Sequence, residues 1–103
     1  MSVLFEVVSM RGKRIHISEN YWAVLSTKKH PSIANMVNEA KLALIDPFEV
    51  RRSRQDPTVF LYYRKLNSKF LCTVAKHLNG DGFIVTVYTT CKIKRGEVLW
   101  KKS

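Results

Sequence analysis

The spacing of apolar residues along this chain turns from helical to alternating near residue 48. Before that point "VLFEVVS" reads as a strand, and "RGKRIHIS" as a second one after a glycine-containing turn. Ser18 stands just ahead of "NYWAVLSTKK" and can cap a short helix, because its hydroxyl satisfies backbone N–H groups left without partners at a helix start. His30-Pro31 ends that helix and starts another, with Pro31 or Ser32 in its first turn. Ile33, Met36, Val37, Ala40 and Leu44 then recur at helical spacing, which gives one apolar face turned to a core. Asp46-Pro47 stops it.

After residue 48 the period is two. "FEVRRS", "VFLYYRKL", "KFLCTVAKHL" and "GFIVTVYTT" read as strands, with a last extended piece around "GEVLW". The breaks between them are turn chemistry: Gln55-Asp56-Pro57, Leu66-Asn67-Ser68, Asn79-Gly80-Asp81-Gly82 and Arg95-Gly96. Links this short predict antiparallel neighbours. The expectation is a single α+β domain over residues 1–103. Two N-terminal helices would pack on one face of a four- to five-stranded antiparallel meander sheet, and the other face would be left to solvent.

Alternation then sorts side chains by face. In "GFIVTVYTT", Phe83, Val85, Val87 and Thr89 share one side, the natural core side, and Ile84, Thr86, Tyr88 and Thr90 the other. In "KFLCTVAKHL" the two sets are Phe70, Cys72, Val74, Lys76 and Leu71, Thr73, Ala75, His77. The sequence leaves open which set joins Thr86 and Tyr88.

Charge changes the picture most. Eighteen Lys and Arg stand against eight Asp and Glu, a formal net charge of +10. Seven cations and the single acid Asp56 lie between Arg51 and Lys76, and five cations with Glu97 between Lys92 and Lys102. A surface this positive implies a polyanionic partner, a nucleic acid or an acidic protein. No basic amphipathic helix or long apolar run points to a membrane. "MSVLFEVVSMRGKR" has no basic region before its apolar stretch, which argues against a signal peptide and for a cytoplasmic protein. Cys72 and Cys91 make neither a disulfide framework nor a zinc signature and read as small hydrophobes in strands.

Candidate chemistry is narrow. The sequence carries no HExxH, GxSxG, phosphate-binding loop or CxxC, and its acids are scattered. No metal or other cofactor is therefore expected. Histidine, lysine, arginine, tyrosine and threonine remain, a set able to cleave RNA without metal. A base takes the 2′-hydroxyl proton, an acid protonates the leaving oxygen, and cations stabilise charge growing on the phosphate. His16, His30 and His77 are the candidates for proton transfer. Aromatic and basic residues interleaved on a sheet also suit RNA without any chemistry, by stacking bases and holding phosphates.

The order "IHIS…W…KHP", "DPFEVRRSRQDPTVFLYYR", "GFIVTVYTTCKIKRGEVLW" resembles the phage- and toxin-associated nucleases of the barnase–EndoU–colicin–RelE (BECR) fold, in their small stand-alone branch. The likeness runs from about Arg14 to Trp100. It takes in Trp22, the "KHPS" junction, Asp46, Pro47, Val50, Ser53 and Asp56, then Tyr62-Tyr63-Arg64 and the closing strand. The resemblance implies a metal-independent ribonuclease, a toxin or phage effector, with its site on the open sheet face. It also implies a possible acidic antitoxin or immunity protein as partner. Carried over by position, His30 matches the junction histidine, Thr86 and Tyr88 the closing-strand motif, and Arg64 the basic strand residue. Lys76, Arg51 and Lys94 transfer more loosely. Ser32 replaces the family's acid, Val24 a second histidine, and Val87 an alanine. The expected catalytic set is His30, Tyr88, Thr86, Arg64 and Lys76, with Arg51, Arg52, Arg54, Thr90, Lys92 and Lys94 binding RNA. The alternative is an RNA- or DNA-binding domain that uses the same basic face without cleavage.

Overall fold

The computed structural model describes residues 2–102. Strands β1 (Val3–Val8) and β2 (Arg14–Ser18) form a hairpin whose turn places Gly12 at φ +81°, a conformation open chiefly to glycine. Helix α1 (Glu19–Val24) starts at Ser18, whose Oγ accepts the Tyr21 N–H at 3.1 Å, so the predicted cap is made. The helix runs on into a π-helical turn (Leu25–Lys29) and, past His30, a 3₁₀ turn (Pro31–Ile33) before α2 (Val37–Ile45). Strands β3 (Glu49–Arg52), β4 (Val59–Lys65), β5 (Phe70–His77), β6 (Asp81–Thr90) and β7 (Glu97–Lys101) follow.

The strands make one seven-stranded sheet in the order β1-β2-β6-β5-β4-β3-β7. This corrects the expected four- to five-stranded antiparallel meander. The tight turns do set β3 to β6 side by side and antiparallel. The N-terminal hairpin adds to that block in parallel, Arg14–His16 of β2 pairing with Asp81–Phe83 of β6, so the sheet is mixed. β7 does not fold back on β6. It pairs antiparallel with β3 at the opposite edge, because residues 91–96 cross the sheet instead of turning. Four strand spacings of about 4.8 Å place the two strands roughly 19 Å apart. The seven Cα steps from Thr90 to Glu97 reach at most about 25 Å, so the crossing strap runs nearly extended. Arg95-Gly96 looks like a hairpin turn only when that span is ignored.

The helices cover one face. Trp22, Leu25, Ile33, Ala40, Ala43 and Leu44 bury against Ile15, Ile17, Val50, Tyr62, Leu71, Ala75, Ile84 and Val87. Thr73 Oγ1 donates to the Ala40 carbonyl at 3.0 Å, tying β5 to α2. On the opposite face a small second cluster, Leu61, Tyr63, Cys72 and Val74, is packed by Ile93 of the strap. No helix among the described residues is long and apolar enough to cross a membrane.

His77, at the end of β5, belongs to the helix-side layer. It stacks on Phe60 with ring centroids 3.7 Å apart, and its Nε2 lies 2.8 Å from the Tyr62 hydroxyl, itself 3.0 Å from Ser9 Oγ. Burial, then the charges of Lys13, Arg11 and Arg52, push its pKa down to about 4. A histidine in the unfolded chain titrates near 6.5, so the unfolded state takes up the proton first as pH falls. His77 therefore leaves stability intact above that pH and lowers it between there and pH 4. At about 1.4 kcal/mol per pH unit the full loss is roughly 3 kcal/mol. Urea unfolding of wild type and His77→Gln at pH 7 and pH 4.5 checks this: the advantage of the wild-type chain should shrink on acidification.

Candidate functional site

The open face is organised by a bulge in β6. Val74 of β5 opposes Thr86 while Ala75 opposes Ile84, which leaves Val85 as an extra residue. The carbonyl of Val85 accepts the Tyr21 hydroxyl proton from α1. Beyond Phe83, β6 has no strand on its outer side, because β2 pairs only with its first residues. The helical segment fills that edge: Ser32 Oγ lies 3.4 Å from Thr89 Oγ1, and the His30 ring lies 5.9 Å from that of Tyr88.

The bulge divides the alternation into two phases. From Thr86 onward it runs as the sequence predicts, with Val87 in the main core and Thr86 and Tyr88 on the open face. Before the bulge it is inverted. Ile84 is buried under the helices, while Phe83 remains 38% exposed. The same register settles β5: Cys72 and Val74 join the open-face cluster, and His77 points the other way.

A groove of 560 Å³ lies on this face. Val59, Leu61, Val74, Thr86 and Tyr88 line it from the sheet, while Arg54, Gln55 and Asp56 come from the β3–β4 loop and Lys94 and Arg95 from the strap. Tyr88 is half-buried; burial first, and the neighbouring Cys72 thiol second, raise its pKa far above the usual tyrosine value. Its hydroxyl stays protonated and can donate a hydrogen bond. Cys72 itself is pushed up to about 12 by burial, so it is an inert thiol here. Thr86 Oγ1 is buried with no hydrogen-bond partner. Asp56 accepts the Thr58 hydroxyl and amide, which hold its carboxyl below the usual range, and pairs with Lys76 at 3.5 Å.

The strap is held from below. Its Lys94 N–H donates to the Tyr63 hydroxyl at 2.9 Å, and Arg51 Nη1 donates to the Lys94 carbonyl at 3.4 Å. Arg51 is positioned by Glu49, whose carboxylate is 2% exposed and accepts the Arg51 Nε–H. Lys94 and Arg95 thus stand at the groove because a buried ion pair and a buried tyrosine fix the backbone between them.

Of the expected residues, Thr86, Tyr88, Arg54 and Lys94 line one concavity, Lys76 reaches it through Asp56, and His30 stands beside Tyr88. Arg51 supports the groove without lining it. Thr90 is engaged in a turn, its Oγ1 donating to the Lys92 carbonyl and accepting the Lys92 N–H, and Lys92 is exposed beside it. Two arginines lie elsewhere. Arg64 shares the helix-side face of β4 with Tyr62 and pairs with Glu39 and Asp46. Arg52 lies over the Phe60 ring and pairs with Glu97. Arg95, Ser53 and Gln55 line the groove without having been singled out. The signal for Arg95 was Ile93, an apolar residue between two lysines that needs something to pack on. Among the described residues no three His, Cys, Asp or Glu side chains come together as a metal site would require.

No protein-family model, curated protein or solved structure matches the chain. The likeness to the BECR nucleases therefore rests on the short motifs alone, and the seven-stranded mixed sheet replaces the barnase- or RelE-like sheet it implied.

Three variants test this arrangement. Arg51→Ala leaves the Glu49 carboxylate buried and unpaired, which should cost about 3–5 kcal/mol in denaturant unfolding. The double change Glu49→Gln with Arg51→Met should recover most of that loss. Thr86→Val removes a hydroxyl that bonds to nothing within the chain and should leave stability unchanged or slightly raised. A marked drop in its unfolding midpoint would mean that the hydroxyl has an internal partner.

Proposed function

We propose that the groove on the open sheet face binds single-stranded RNA. The observation that carries this reading is the convergence of Arg54, Lys94 and Arg95 around Tyr88 and the unpartnered Thr86 hydroxyl. Cations at a rim hold phosphates, and an aromatic ring on the floor offers a face to a base. The Lys76–Asp56 pair adds a cation that an arriving phosphate can share.

One observation favours a second reading, RNA cleavage: the His30 ring, 5.9 Å from the Tyr88 ring at the groove's edge. In that reaction His30 takes the 2′-hydroxyl proton as the 2′-oxygen attacks the adjacent phosphorus, the bond from phosphorus to the 5′-oxygen breaks to leave a 2′,3′-cyclic phosphate, and the departing oxygen takes a proton from solvent. Tyr88, held protonated, donates to a phosphate oxygen, and Arg54, Lys94 and Arg95 stabilise the added negative charge. Binding ranks first because, among the described residues, no carboxylate bonds to His30 and no second histidine lines the groove.

Fluorescence anisotropy with an unstructured RNA in EDTA, followed by analysis of the RNA ends, separates the two. Binding should weaken with salt at about −0.7 in log–log slope per phosphate contact, roughly −2 for the three rim cations. Arg95→Ala should lower affinity about tenfold at low salt and make the slope shallower by about 0.7. Intact RNA supports the binding module. Fragments ending in 2′,3′-cyclic phosphate that vanish with His30→Ala support the nuclease, and absence of binding at low salt removes both.

A further inference from the structure

A second concavity of 580 Å³ opens where β2 and β6 part company. Val3, His16, Ile17, Tyr21, Phe83 and Val85 line it, so its walls are largely apolar and partly aromatic. The bulge is what joins it to the basic groove. Val85 lines this cleft, and its chain neighbour Thr86 lines the groove. Both stand opposite Val74, and both belong to the open face. Phe83, at the start of the cleft, is opposed in register by Lys76, whose ammonium pairs with Asp56 of the groove. A cation therefore sits between an exposed aromatic ring and the basic groove.

We infer that the cleft between β2 and β6 is a base-binding subsite of the RNA groove. It takes one unstacked nucleobase against Phe83 while the flanking phosphates lie over Lys76 and the groove cations. This inference rests on the RNA-binding reading of the groove. An aromatic wall beside basic residues fits a strand that carries a phosphate and a base in every repeat. The cleft offers faces more than edges. Tyr21 spends its hydroxyl proton on the Val85 carbonyl, and Ser18 Oγ is engaged by the Tyr21 N–H. The subsite accepts any base with little sequence preference, because every base has a π face.

The test compares a short oligouridine with a ribose-phosphate oligomer of equal length that has no bases, each titrated into the full chain at low salt. Wild type should prefer oligouridine by about fivefold to a hundredfold, the range one stacked base contributes. Phe83→Ala should remove the share of that preference that Tyr88 does not supply while binding the abasic oligomer as wild type does, and that unchanged binding also shows that the variant is folded. Phe83→Trp should restore the preference. An oligouridine carrying one 2-aminopurine should show quenched fluorescence on wild type and not on Phe83→Ala. Equal affinity of wild type for the two oligomers overturns the subsite and leaves the RNA groove standing. Failure of both to bind at low salt overturns the groove reading and the subsite with it. A wild-type dimer in sedimentation that Phe83→Ala converts to monomer also overturns the subsite, making the cleft a contact between two copies of this chain.

Discussion

The strap that walls the open-face groove depends on one ion pair, built on a buried carboxylate. Glu49 loses its hydration on folding, and Arg51 is the charge that compensates it. Having been fixed by Glu49, the guanidinium has a donor left for the Lys94 carbonyl, while the Tyr63 hydroxyl takes the Lys94 N–H. The strap needs this. It crosses the sheet with no secondary structure of its own, and its backbone groups would otherwise lie over the apolar cluster of Leu61, Tyr63, Cys72 and Val74 unsatisfied. The pair fixes the strap, and the strap forms one wall of the groove and delivers β7 to the far edge.

The two faces of the sheet divide the labour by polarity. Under the helices Thr73 bonds to the Ala40 carbonyl, and His77, Tyr62 and Ser9 form a chain of hydrogen bonds. They specify packing, and their proton affinities are moved away from neutral pH. On the open face the polar groups are hydroxyls and cations above an apolar floor. Tyr88 ties the apolar floor of that face to the groove, since its ring is packed with Cys72 and Tyr63 while one side of it lines the groove. Such a ring is held rigid before any ligand arrives, which lowers the ordering cost of binding.

Much of this was legible in the sequence at the level of single elements. Ser18 marked its helix start, Asp46-Pro47 its end, and the Asn79-Gly80 turn joined β5 to β6. Thr86 and Tyr88 were placed on the working face by period two alone. What local pattern could not carry was anything set at a distance. Val85 reads as one more apolar strand residue, and nothing in it announces a bulge; the bulge follows from pairing against Val74 and Ala75. That single residue reversed the expected sides of Phe83 and Ile84. Arg64 was assigned to the site by likeness, whereas its place after Tyr62 puts it on the helix side with Glu39 and Asp46. Strand order failed for a similar reason, because a six-residue link can turn or cross, and the choice lies with the burial of Ile93.

The parallel pairing of β2 with β6 has a consequence for how the chain reaches this state. β3 to β6 are joined by short turns, so their contacts form between residues near one another in the chain. The β2–β6 ladder instead joins residues 14–16 to residues 81–83, and the β3–β7 ladder reaches back across the whole meander. Closing such loops costs chain entropy before any hydrogen bond is gained. The four-stranded middle is the natural nucleus, and the N-terminal hairpin and the last strand dock on it afterwards. Both concavities are closed by those pieces, so on this order they are the last parts of the molecule to take shape.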